Sequence, residues 1–276
     1  MLKISLSLFT GYLLRSCRAD LCNATRWQSV PVFPLVSFPR LPSLTQFMPS
    51  TAPDSQLCLY DPIISIAILS GHSDLLTLLQ DLHTIAMFLD FANPKNTAIL
   101  QNTAYVDHVY LAEHKGLMLM AQYKTSPPIF LPVDMNPKET LIIPLLLQAL
   151  MLYIYTNIRL TPVSGSIRST LVCRIQLSVA EMPVPMLDVL FEAFPHEVFW
   201  IMFLAGSSSV ENNQKIYFVG HLKWMCENLA LECWGDIEDK LGRFLWLHEQ
   251  FLHRCKALWS DVVSYVPDDE DWNMIG

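Results

Sequence analysis

Glycine is scarce in this chain, and its spacing excludes three common catalytic and nucleotide-binding motifs. The 276 residues contain nine glycines, and the closest pair, Gly235 and Gly242, stands seven positions apart. A dinucleotide-binding fingerprint needs glycines two and three positions apart, a nucleophile elbow needs four, and a phosphate-binding P-loop needs five. None of these motifs is present in the sequence.

Charged residues are also few. They make up 16% of the chain, against about 25% in an ordinary soluble domain, and the formal net charge is −8. No ten-residue stretch holds four Lys or Arg, so we expect no direct binding of nucleic acid. The apolar fraction of 52% excludes a disordered chain and favours a folded body with its own core.

The cysteines fit neither a disulfide framework nor a zinc module. There are seven of them, an odd number at irregular spacing, and no CxxC pair occurs. We expect buried, reduced thiols with a structural role. The sequence predicts no metal ion and no cofactor.

Two apolar segments raise the alternative of a secreted or membrane-associated helical protein. The first, Ile4–Leu14, is followed by Arg15 and Arg18, where the cleavage region of a signal peptide is normally neutral. The second, Leu141–Tyr155, is about fifteen residues long and contains Pro144, whereas a spanning helix needs about twenty residues. We interpret the second segment as a helix buried on all sides, and regard a membrane location as the weaker hypothesis.

Composition divides the chain into three parts. Six prolines fall within Pro31–Pro53, where no helical or alternating pattern survives. We therefore predict a poorly ordered apolar N-terminus and Pro-rich linker over 1–55, a helical domain over 56–266, and an acidic tail over 267–276.

Helical spacing of apolar residues predicts the rest of the domain. The clearest helix covers Ser73–Phe91, and others are expected over roughly 99–123, 138–160, 164–182, 197–205 and 216–233. A last helix follows from one apolar stripe, formed by Leu241, Leu245, Leu252, Cys255, Trp259 and Val262. The predicted fold is all-α, a single multi-helix domain of about seven or more helices preceded by a Pro-rich arm.

Several residue clusters resemble catalytic or metal sites but are better explained structurally. His248 and His253 are five positions apart, so they cannot share a helix face as a zinc-binding pair does. Cys226 and Cys233 lack the flanking CxxC pairs of a zinc cluster. The acidic run Asp268–Asp271 lies beyond a proline at the end of the chain, as a solvated tail does. We therefore predict no catalytic residues and no enzyme.

A series of aromatic landmarks resembles the regulatory region of fungal-specific zinc-cluster transcription factors. The similar positions are an apolar helix that ends at glycine and four short segments after it, each with one or more aromatic residues. They include Trp200, Gly206, Trp234, Phe244, Leu245, Trp246 and Trp259. The resemblance covers about 63–266, and the six-cysteine DNA-binding cluster of that family is absent. It implies a non-catalytic regulatory module in the nucleus, protein partners such as coregulators or homologous regulators, and a small effector of unknown identity; the cytoplasm and secretion remain alternative locations. Trp246 and Trp259 are predicted to be core residues.

Overall fold

A computed structural model describes residues 19–33, 35, 42–47, 71–91, 103–125, 137–159, 165–242, 244–245 and 249–266. Throughout these residues the regular secondary structure is helical, which confirms the predicted all-α fold. Trp246, His248 and the acidic tail, 267–276, lie outside the described residues.

The helices are named in chain order. They are α1 (19–27), α2 (Ser73–Phe91), α3 (Thr103–Thr125), α4 (Pro137–Tyr153), α5 (Ser166–Ala180), α6 (Val184–Ala193), α7 (Pro195–Ser208), α8 (Asn212–Asn228), α9 (Trp234–Gly242) and α10 (Glu249–Ser264). A 3-10 turn covers Leu44–Phe47, and a π-helical turn, Ile154–Ile158, continues α4. Helix α2 has the bounds that its apolar spacing predicts.

A proline stands at the junction of helices α6 and α7. Helices α6 and α7 meet at 115° around Phe194. Pro195 has no backbone N–H and so cannot extend α6, but it is tolerated in the first turn of α7. Phe194 closes α6 by donating its N–H to the Leu190 carbonyl, and its own carbonyl accepts the N–H of Val198 in α7.

Helix α7 is the centre of the core. Every residue from Glu197 to Ser208 is buried, and the helix contacts α4, α5, α6, α8, α9 and α10. Helix α4 is the second central element, and it packs against α3, α5, α6 and α7. Burying each large apolar side chain contributes about 1.5–3 kcal/mol, so these two helices supply much of the driving force for folding.

The apolar segment Leu141–Tyr155 lies within one helix, as predicted over roughly 138–160. With the π turn it forms 21 helical residues, Lys138–Ile158, which is long and apolar enough to cross a membrane. In the most apolar 18-residue stretch of this helix, 89% of the residues are buried inside the fold. The predicted burial on all sides is therefore what the structure shows.

The stripe predicted from Leu241 to Val262 does not form one helix. Helix α9 ends at Gly242 and α10 begins at Glu249, because glycine is a poor helix former and interrupts the run. The break changes the phase of the second half, so the buried face of α10 consists of Phe251, Cys255, Leu258 and Val262. Trp259, predicted to be a core residue, lies at the edge of that face and is only partly buried.

Part of the segment predicted to be poorly ordered is packed on the helical body. Leu21 and Ala24 of α1 are buried in the core, and so is Leu44 of the 3-10 turn, which contacts α2. Residues 19–33 and 42–47 thus contribute to the core, and the predicted boundary at residue 55 stays a prediction, since the residues around it lie outside the described structure. The density of prolines in Pro31–Pro53 excludes long helices but not the burial of single apolar side chains.

We expect Gly206→Ala to destabilise the protein. An added Cβ would lie 3.0 Å from Leu258 Cδ2 in α10 and 3.1 Å from Phe218 Cβ in α8. Overpacking costs about 1–3 kcal/mol, which exceeds the helix propensity of up to about 1 kcal/mol that alanine adds. Urea unfolding should show a net loss of about 1–2 kcal/mol.

Gly235→Ala is the matched control. Its Cβ would meet only the Cys233 sulfur, at an ordinary 3.6 Å, so we expect stability within about 1 kcal/mol of the wild type. A Gly206→Ala variant as stable as the wild type would show that close helix approach does not constrain this position.

Candidate functional site: interaction groove and buried polar cluster

The landmark residues that resemble the fungal family divide into buried and partly buried residues. Trp200 is fully buried, with its ring centroid 4.6 Å from that of Phe244 and 6.0 Å from that of Tyr153. Gly206, Phe244 and Leu245 also lie in the core, where α7 meets the end of α9 and α10. These residues therefore hold helices together and present nothing to a ligand.

Trp234 and Trp259 are the landmarks that reach the surface. Trp234 donates from Nε1 to Glu238 Oε2 at 3.1 Å, and the Lys256 ammonium lies 5.6 Å from its ring centroid. Trp259 has no such polar contacts in the described structure, and part of its ring lines an open groove. Among the landmarks that the structure describes, Trp259 therefore combines partial exposure with a groove beside it.

The groove beside Trp259 has a volume of about 460 Å³ and lies between the C-terminal end of α8 and α10. Its apolar walls are Cys226, Ala230, Leu231, Trp259, Val262 and Val263. Its polar edge carries Lys223, Glu227 and Glu232. We call it the Trp259 groove.

A left-handed turn forms one lip of the Trp259 groove. Helix α8 ends with the N–H of Leu231 donating to the Cys226 carbonyl at 2.9 Å and the N–H of Ala230 donating to the Glu227 carbonyl at 3.3 Å. This pattern, a Schellman motif, places Ala230 at φ 52°, a conformation that glycine adopts more easily. The lip therefore contains a locally strained backbone, which is a feature seen at functional sites.

The Cys226 thiol and the His221 imidazole near this groove are not suited to catalysis. Burial raises the pKa of the Cys226 thiol to about 12 and lowers the pKa of His221 to about 4. Both groups are therefore neutral at pH 7, and Cys233 is exposed on the other side of the turn. Within the described residues, no group of three or more His, Cys, Asp or Glu side chains could hold a metal ion.

A buried polar cluster lies where α1, α3 and the π turn meet. Glu113 of α3 is fully buried, forms an ion pair with Arg159 and accepts a hydrogen bond from the Tyr155 hydroxyl. On the other side of that hydroxyl, Thr25 Oγ1 lies 3.2 Å away and Cys22 Sγ lies 3.8 Å away. The cluster therefore ties α1 and α3 to the π turn.

The electrostatics of this cluster suit a structural role, in which its side chains bind one another, and do not suit catalysis. Burial and the Glu113 carboxylate raise the pKa of the Tyr155 hydroxyl and of the Cys22 thiol. Both groups stay protonated at pH 7, so Tyr155 acts as a hydrogen-bond donor and Cys22 is a poor nucleophile. The Glu113 carboxylate is occupied by Arg159 and Tyr155, which leaves it unsuited to act as a general base.

None of the sequence predictions includes this cluster. Glu113 is followed by His114 and Lys115 in α3, a helix that also contains Asp107, so nothing in the sequence marks it as a buried charge. Nothing in the sequence pairs it with Arg159, because the π turn that brings the two together has no local signature in the pattern. π-helical turns are rare, and they occur frequently at functional sites.

No family model, curated protein or solved structure matches this chain. The resemblance to fungal regulators therefore remains a prediction from the aromatic landmarks. What the Trp259 groove and the buried cluster can do follows from their geometry.

Removing Arg159 should destabilise the protein strongly. In Arg159→Met the buried Glu113 loses its ion partner, and breaking such a pair costs about 3–5 kcal/mol. Lys115→Met, on the same helix as Glu113, is the control. It removes a 2.7 Å pair with Asp81 that is one-third exposed, which is worth at most about 1 kcal/mol. Equal losses of unfolding free energy in the two variants would contradict this assignment.

Ala230→Gly should stabilise the protein by about 1 kcal/mol. Glycine has no Cβ penalty at positive φ, so the substitution relieves the strain at the groove lip. Ala257→Gly, at an exposed position inside α10, should instead lose about 1 kcal/mol of helix propensity. Thermal unfolding of both variants measures the two effects, and a loss in Ala230→Gly would show that the lip is unstrained.

Proposed function

We propose that this chain is a non-catalytic helical interaction module that binds a protein partner through the Trp259 groove. The observation that carries the proposal is the groove itself, which places a partly exposed tryptophan beside an apolar floor at the end of two packed helices. Tryptophan is the residue type most often found at the energetic centres of protein interfaces. Grooves between helix ends commonly accept a further helix.

The partner that fits this groove is an amphipathic helix with a basic flank. Cys226, Leu231 and Val262 offer an apolar floor for the apolar ridge of such a helix. The edge carries two acids against one base: Glu227 is paired with Lys223 at 3.9 Å, and Glu232 favours Lys or Arg beside that ridge. The net charge of −8 acts in the same direction, since it attracts basic partners over a longer range.

The acidic tail of the chain is the less favoured occupant. Its carboxylates, Asp268–Asp271, would face Glu227 and Glu232, and like charges brought together disfavour association. A partner with the opposite charge has no such penalty. We therefore assign the groove to another protein.

The resemblance to the regulatory region of fungal zinc-cluster transcription factors supports a role in transcription regulation. Because the sequence has no six-cysteine cluster and no basic patch, we propose that it acts in the nucleus through coregulators or homologous regulators that contact DNA themselves. The alternative of a membrane-associated protein is carried by the Lys138–Ile158 helix. Its burial among α3, α5, α6 and α7 favours a core helix instead.

Val263→Asp tests the groove with little risk to the fold. Val263 lines the groove and is 56% exposed, so a charge there should be tolerated by the fold but should repel an apolar ridge. Val210→Asp is the matched control, because Val210 is 53% exposed and lies before the opposite end of α8. With the full chain fused to an unrelated DNA-binding domain in a fungal host, we expect Val263→Asp to lose at least three-quarters of the change in reporter output.

Val210→Asp should retain that change. A wild-type fusion that leaves reporter output unaltered would overturn the regulatory function. If Val263→Asp and Val210→Asp retain the regulatory effect equally, the chain is still a regulatory module, but the Trp259 groove is not its binding surface.

A further inference from the structure

The end of α1 and the loop after it expose a large share of the apolar side chains at the surface. Eleven large apolar side chains are exposed among the described residues, and five of them lie within the nine positions 27–35; these are Trp27, Val30, Val32, Phe33 and Leu35. The other six are scattered between Met118 and Val266. Single exposed apolar residues are ordinary, whereas a concentrated group marks an interaction site. We call positions 27–35 the Trp27 loop; Pro34 within it lies outside the described residues.

Hydrogen bonds to α1 hold the Trp27 loop in place. The Ser29 N–H donates to the Ala24 carbonyl at 3.0 Å, and the Phe33 N–H donates to Asp20 Oδ2 at 2.9 Å. Pro31, between these two anchors, is buried. The exposed apolar side chains are therefore presented by a backbone that is fixed before a partner arrives, which lowers the entropic cost of binding.

The charge of this part of the chain is opposite to that of the rest. Positions 1–41 contain five basic residues against one acid, and positions 42–276 contain 13 against 25, so the two parts carry net charges of +4 and −12. Among the described residues, the exposed Arg26 lies beside the loop, with its guanidinium carbon 5.7 Å from the Trp27 ring centroid. An anionic partner is attracted by the segment that carries the loop and repelled by the rest of the chain.

An anionic lipid surface fits these features better than a nucleic acid or a second protein. Bases stack on aromatic rings, but three of the five exposed side chains of the loop are aliphatic. A stable protein interface takes about 20–30 residues on each side, more than this loop supplies. A bilayer needs no matching shape: it accepts apolar side chains at its acyl boundary, holds tryptophan at the level of the headgroups and attracts basic residues when its lipids are anionic.

We propose that the Trp27 loop attaches this chain peripherally to an anionic lipid surface. Val32, which is 83% exposed, enters the apolar boundary, while Trp27 and Arg26 lie at the level of the headgroups. No spanning helix is needed, so Lys138–Ile158 keeps its buried place in the core. The proposal goes beyond the function assigned to the Trp259 groove and does not depend on it.

Helix α1 connects this attachment to the folded body. Leu21 and Ala24 of α1 are buried in the core. Thr25 Oγ1 lies 3.2 Å from the Tyr155 hydroxyl, and Arg174 donates to the Thr25 carbonyl at 2.7 Å. Lipid contact at the loop therefore holds the helical body at the surface, and not α1 alone.

Vesicle flotation of the full chain tests the lipid contact. The probes are vesicles of phosphatidylcholine alone and of phosphatidylcholine and phosphatidylserine in equal parts. We expect the wild type to bind the anionic vesicles at least about tenfold more tightly than the neutral ones, and to lose affinity as sodium chloride is raised. Val32→Asp should lower the affinity for anionic vesicles at least about tenfold, because a carboxylate is not accepted at the apolar boundary. Val210→Asp, at a position 53% exposed outside the loop, should bind as the wild type does.

Tryptophan fluorescence locates the contact. Trp27 is 70% exposed, so its emission should shift to shorter wavelength when it leaves water for the headgroup layer. In Trp27→Phe, which keeps an aromatic ring at this position, binding should persist and the shift should disappear.

Three results would overturn the proposal. They are the absence of wild-type binding to anionic vesicles, which would leave the loop to a protein partner, equal binding by Val32→Asp and Val210→Asp, and a fluorescence shift that Trp27→Phe retains. Failure here is distinct from failure of the reporter experiment, because none of these three variants changes a residue that lines the Trp259 groove.

Discussion

The burial of α7 on every side is the constraint on which the rest of the structure depends. A helix can be surrounded completely because its backbone hydrogen bonds are satisfied internally. Ser207 near its end follows the same rule, since its Oγ donates to the Phe203 carbonyl at 2.7 Å. Gly206 lets α8 and α10 approach closely, and Trp200 fills the wider space at the other end. The positions of six helices follow from this one.

The buried polar cluster makes a different contribution, because it fixes elements that apolar packing alone would leave free to slide. Hydrophobic burial has no direction, whereas an ion pair and a hydrogen bond to one carboxylate specify a single register. Glu113 therefore positions the π turn against α3. Arg174 adds to this by donating to the Thr25 carbonyl at 2.7 Å near the end of α1, where a positive charge is favourable.

The Trp259 groove lies where this packing stops. It opens beyond the end of α8, at a turn with Ala230 in a left-handed conformation. There the helix ends sharply and the chain reverses before its neighbours are fully covered. The rigid core thus holds the walls of the groove, while the turn shapes its lip.

The sequence by itself determined the fold class, the bounds of α2, the burial of the Leu141–Tyr155 segment and the absence of the glycine-rich nucleotide-binding motifs. These follow from periodicity and composition, which are local properties. Only the tertiary structure decided that Glu113 meets Arg159, that α1 and Leu44 join the core, and that Trp259 lines a groove. Those outcomes depend on contacts between distant residues and on the helix phase after Gly242. There the break puts Phe251 and Leu258 on the buried face in place of Leu252 and Trp259, while Cys255 and Val262 stay on it.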